Sequence, residues 1–348
     1  MMHVTLPCRA ALLGLALLPS LAVAAGPEPV PVYRQIKDWI VGCDNTRACT
    51  AVAAAQEDTN SLWLVVHREA GLNGALSLRV VGGAAWDSPP LLDGQPLTAS
   101  WHKQRDEYQT VLQVDGEAGA ALVRQLRNGE RLTAASSDGA LQASLQGISA
   151  ALLLIDSVQG RIGHASALVR PGTAADASVP PAPTMAKLPL FTAAPALDPA
   201  QATQMRSAVM AKAKADGDVF DQEGVRSLEL QPLDSQHALA LISSECGAYN
   251  CSYTLYRVGR AAPYVISELP FEAPASEVVD SRLTGYVAFD SNSGELYGFD
   301  KGRGIGDCGV NEIWRYDGER MRLLSLAKMD RCAQVSSEYW PVLWRAGK

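Results

Sequence analysis

Seven cysteines, five histidines and one glycine-rich stretch carry the most conspicuous chemistry in this 348-residue chain. The stretch is KGRGIGDCG, residues 301–309, and its last six letters satisfy G-x-G-x-x-G. A dinucleotide site needs that pattern after a buried parallel strand and before a helix, so that pyrophosphate meets the helix N-terminus. Here ELYGFD precedes it and VNEIWRYDG follows, and both read as antiparallel strands. No cofactor is therefore expected, and the glycines are assigned to positive-φ turns. Lys301, Arg303 and Asp307 remain as candidate binding residues, together with Trp340. Trp314, Tyr339, Trp340 and Trp344 gather downstream, and rings beside polar donors suit a glycan or a peptide. The same residues also fit an aromatic core under a charged surface.

The cysteines bound the compartment. Cys8 falls in a leader-like segment, which leaves Cys43, Cys49, Cys246, Cys251, Cys308 and Cys332. Six cysteines allow fifteen connectivities in principle, roughly speaking a wide choice. Proximity in sequence favours Cys43–Cys49, Cys246–Cys251 and Cys308–Cys332. The rival is a zinc site from the first four, but their spacings are wider than zinc knuckles and no histidine accompanies them. No metal is expected.

Other reactive constellations are absent or incomplete. His67, His102, His164 and His237 could serve a hydrolase, yet no G-x-S-x-G nucleophile elbow occurs. The acid-rich DGDVFDQEG, residues 216–224, starts like a calcium loop but places Phe220 at the third ligand position and Ser227 at the twelfth. Net charge is -7 with no long basic run, which argues against nucleic acid as a partner.

The elements that must position these residues are mostly strands. Residues 1–25 read as a secretory signal peptide: Arg9, an apolar run from Ala10 to Leu18, and small residues before cleavage near Ala24 or Ala25. No later segment is long and apolar enough for a membrane span. Residues 33–171 form an N-terminal β-rich domain, with a cysteine-bearing hairpin at 38–54 and helices near 116–128 and 148–158. Residues 172–198 are a Pro/Ala-rich linker. Residues 199–348 form a C-terminal domain that opens on a helix capped by Asp198-Pro199 and continues as eight short strands. The expected fold is mainly β with a few helices (α+β), two antiparallel-sheet domains joined by a strap.

Several motifs together carry a resemblance. DWIVGCDNTRACTA (38–51), SLQGISAALLLIDSVQGRIGHASALVRPG (144–172), GYVAFDSNSGELYGFDKGRGIGDCGVNEIWRYDGERMRLL (285–324) and WPVLWR (340–345) resemble the domain of unknown function 1176 family, exported proteins of Gram-negative bacteria. The first segment is similar, more weakly, to invasion-associated locus B proteins. The resemblance implies a periplasmic setting and paired cysteines, and supplies no catalytic residues. The expectation is a non-catalytic periplasmic protein that binds an envelope protein or glycan, with a periplasmic hydrolase acting on glycan or peptide as the alternative.

Overall fold

The computed structural model describes residues 28–54, 62–82, 86, 88–137, 139–218, 225–272 and 282–347. The expected leader and most of the 216–224 stretch lie outside the described residues. The fold is mainly β, as its alternating and continuous apolar runs require.

The first sheet has seven antiparallel strands in the order Val32–Ile36, Trp39–Cys43, Cys49–Ala53, Leu62–Arg68, Leu76–Gly82, Thr110–Asp115, His102–Arg105. WIVGC and CTAVA are buried at every position, so neither alternates polar with apolar. Burial of both faces is the physical reason. On one face Trp39, Val41 and Ala51 pack with Leu122 and Leu126 of helix Gly116–Leu126 and with Leu152 and Ile155 of helix Ile148–Val158. Leu132 and Leu141 of a small four-stranded sheet complete that core. On the other face Ile40, Val52, Trp63, Val65 and Val81 meet Cys308, Met329, Val335 and Trp340 from the far end of the chain.

The second sheet holds ten described strands between Val225 and Arg345. Its pairings are antiparallel except one: Phe271–Glu272 lies parallel to Met321–Arg322, where the Met321 N–H donates to the Pro270 carbonyl at 2.8 Å. Helix Pro199–Asp216 starts where the sequence sets it, with the Asp198 carboxylate accepting from the Gln201 N–H at 2.9 Å, and stops at Gly217 with φ 80°. Its Met205, Val209 and Ala213 cover Ala238, Ala240 and Tyr256 of the sheet. Leu241, Leu255, Leu296 and Trp314 belong to a separate core. Between the sheets, the Pro/Ala-rich stretch carries one 3-10 turn, Asp176–Ser178, and pairs with the C-terminus through Leu188 N–H to the Gly347 carbonyl at 3.1 Å.

Candidate binding surface

Three disulfides pin the loops: Cys43–Cys49, Cys246–Cys251 and Cys308–Cys332. The first joins directly opposed residues of a hairpin. The other two hold neighbouring loops. Asn250 binds the second loop with its whole amide: Nδ2 donates to Asp300 Oδ1 at 2.8 Å and to the Lys301 carbonyl at 2.9 Å, and Oδ1 accepts from the Lys301 N–H at 3.2 Å. The Tyr249 hydroxyl donates to the Gly302 carbonyl at 3.2 Å. The small Cys246–Cys251 loop is thus locked by four hydrogen bonds of modest strength to residues 300–302, just ahead of Cys308.

The residues singled out from sequence fall at this junction but differ in exposure. The Lys301 ammonium lies 5.6 Å over the Phe299 ring. Arg303 grips Asp307 with a fork, Nε to Oδ1 at 2.7 Å and Nη2 to Oδ2 at 2.6 Å. Asp307 also accepts from the Gln334 N–H at 2.5 Å. Burial opposes its charge, but the guanidinium and the amide outweigh burial and hold the carboxyl below its usual range. Asp307 and the Cys308 and Cys332 sulfurs lie within 4.8 Å of one another, yet the sulfurs are bonded together and the carboxylate is occupied, so the group offers no ligand set. Trp340 is only 2% exposed; its ring meets Phe299 edge-on at 5.7 Å and its indole N–H donates to the Val335 carbonyl. It packs between the sheets, where a ligand does not reach it. Gly306 and Gly309 adopt φ of 69° and 132°, and a Cβ on Gly309 would stand 2.0 Å from the Asp300 carbonyl.

What the locked loops leave open is apolar. Ile305 is 71% exposed, Tyr249 43% and Tyr286 62%. A Cβ on Gly304 would lie 3.7 Å from the Tyr249 ring and one on Gly306 3.3 Å from the Phe299 ring, and Phe299 pairs with Tyr286 across the strands, so the three residues sit on adjoining segments at one corner of the sheet. Sequence reasoning missed Tyr249, which lies in a disulfide loop, and Tyr286, which in a strand reads as core.

It also missed the charges that tie the halves together. Arg345 Nε lies 2.5 Å from Asp44 Oδ2, and its Nη2 lies 2.5 Å from Glu69 Oε2. Asn45 exchanges two hydrogen bonds with the Arg345 backbone, at 3.0 and 2.9 Å. Glu69 also receives His67 Nε2 at 3.1 Å. The His67 bond, opposed by burial and reinforced by Arg345, holds the Glu69 carboxyl down to about 2. Beside this clamp Gly42 leaves room for the C-terminal chain: a Cβ there would stand 2.5 Å from the Pro341 Cβ. A further buried cluster fastens residues 159–169. Arg161 donates to Gln159 Oε1, to Ser166 Oγ and to the Gly71 carbonyl, while Asp156 accepts from the N–H groups of Leu168 and Val169.

Residues 33–347 match the sequence profile of a family described as "Protein of unknown function (DUF1176)". The chain belongs to this family. An uncharacterized protein of Escherichia coli (strain K12), YpfG, is 31% identical over 352 residues, spanning 94% of this chain and 96% of that relative. No solved structure matches. The motifs on which the resemblance rests now have places. The CDN residues and the final LWR meet in the Arg345 clamp, QGR forms the Arg161 cluster, and GDCG carries the Asp307 bonds and the third disulfide. These family signatures are architectural: each holds one part of the chain against another.

Proposed function

We propose that this protein is an exported, non-catalytic binding protein that holds an envelope protein or glycan on the corner formed by Tyr249, Tyr286 and Ile305. One observation carries the reading. The Cys246–Cys251 loop is locked through Asn250 and Tyr249 to residues 300–302, and three large side chains on and beside these segments stay open to solvent. A rigid platform loses little entropy on binding, and exposed tyrosines offer both an apolar face and a hydroxyl. Three disulfides are compatible with an oxidising compartment, and among the described residues no helix is long and apolar enough to cross a membrane. The signature residues support a non-catalytic role because their polar atoms are spent on one another.

Photo-crosslinking tests this in cells. A photoreactive residue replacing Ile305 or Tyr286 should give a discrete adduct, and one replacing Leu72 on the first sheet's side should not. Absence of any adduct at both corner positions, with purified sacculi also failing to retain the protein, would sink the proposal. Arg303→Ala is a poor substitute test, since it frees Asp307 and loosens the loop itself.

A further inference from the structure

The hairpin His237–Ser244 and Cys251–Gly259 carries the locked loops at one end and a cleft at the other. The open cleft has a volume of about 760 Å³ and is built from four segments: the end of the Pro-rich stretch, Gln201 at the start of the helix, the turn 235–237 and the turn 259–265. That volume suits a small ligand. Arg260 braces it, donating from Nη1 to the carbonyls of Pro195 and Asp234 and from Nη2 to the carbonyl of Ala196. The Arg260 carbonyl in turn accepts from the Gln201 side chain.

The His237 ring lines this cleft and is held in place by Asp234. Its Nδ1 lies 2.9 Å from Asp234 Oδ2, and Asp234 Oδ1 accepts from the N–H groups of Gln236 and His237 at 2.7 Å each. The Tyr316 hydroxyl stands 3.0 Å from the same carboxylate. Burial works against the charge on Asp234, but the His237 and backbone hydrogen bonds prevail and keep the carboxyl below its usual range. A carboxylate only accepts, so the His237 Nδ1–H donates to Asp234 and the Nε2 edge is left for a ligand. Nε2 has no partner among the described residues. Arg260 has spent three of its donors, which leaves its Nε–H and one Nη2–H open.

We propose that this cleft binds a small neutral polyol, a sugar or sugar fragment, with one hydroxyl hydrogen-bonded to His237 Nε2 and neighbouring oxygens accepting from Arg260. The pairing of an imidazole edge with guanidinium donors selects the ligand class. A hydroxyl both gives and takes a hydrogen bond and so meets both groups, whereas the Asp234 carboxylate behind His237 disfavours a second carboxylate and the guanidinium disfavours an ammonium. Pro195, Pro263 and Val265 supply apolar walls for C–H faces; Val265 is 72% exposed without a ligand. The site is separate from the tyrosine corner, so either can fail alone.

Amide NMR on the mature protein tests it, with D-glucose and N-acetyl-D-glucosamine as probes and acetate as the charged control. Saturable shifts are expected at Gln236, His237, Gly259 and Val265 with at least one sugar, and none with acetate. His237→Phe should weaken binding about tenfold, the value of one lost hydrogen bond. Should that variant not fold, Ala262→Trp fills the cleft from an exposed position and should abolish the shifts. No saturable shift with either sugar overturns the proposal. So does acetate binding in their place, or binding that survives both substitutions.

Discussion

Replacing Arg345 by Met should separate the two sheets in free energy before it separates them in space. The guanidinium is the counter-charge for Asp44, whose side chain is 2% exposed, and for Glu69, whose side chain is 39% exposed. Met keeps most of the apolar stem and removes the charge. Asp44 retains three donors, the N–H groups of Thr46 and Ala48 and the Thr46 hydroxyl, at 2.7 to 3.0 Å. Loss of a partner from a fully buried pair costs about 3 to 5 kcal/mol. The Arg345 side chain is 29% exposed, so water replaces part of what is lost. The expected cost is about 2 kcal/mol. Urea unfolding of the mature protein measures it, as a lower midpoint with little change in slope. Adding Asp44→Asn to Arg345→Met should recover part of the loss, since the orphaned charge is then gone. A loss under about 0.5 kcal/mol, or strictly additive effects of the two changes, would refute the reasoning.

Cys308→Ala with Cys332→Ala opens a bridge spanning 24 residues and should cost about 3 kcal/mol in the same assay, and a non-reduced digest should recover all three local pairs. A Cys43–Cys246 link in that digest would contradict the pairing. Glu69 makes stability depend on acid. Its native pKa of about 2 lies below the ordinary 4.5, so its contribution is complete above pH 4.5 and drains away as pH falls towards 2. Because Glu69 is more than a third exposed, solvent screens the effect to about 1 kcal/mol. Between pH 6 and 3 the native protein should therefore lose more stability than Glu69→Gln; equal losses would show that the Glu69 charge, with its His67 and Arg345 partners, contributes nothing.

Local chemistry made much of the fold legible. Asp198-Pro199 announces a helix start, Gly217 its end, and the continuous apolar letters of WIVGC announce a strand covered on both sides. The eight expected C-terminal strands are all present among the described residues, together with two short ones, Phe271–Glu272 and Val342–Arg345. Short or solvated strands left no such mark. HKQR, residues 102–105, is exposed at all four positions, and its pairing with Thr110–Asp115 is set by the partner's backbone. The candidate site was half legible. Glycines and cysteines located the loop, but its charges turn inward to each other, and nothing local pairs Asn45 with a residue 300 positions away.

That last distance bears on how the chain folds. Ile40, Val52, Val65 and Val81 belong to strands made early, yet their outer face is covered by Val335 and Trp340 from the end of the chain. Until those last residues arrive, the first sheet presents a bare apolar face to any other chain. Such non-local closure is slow and leaves a partly folded species prone to aggregation. A chain shortened before Trp340 would therefore leave the apolar face around Ile40 and Val52 uncovered and should aggregate.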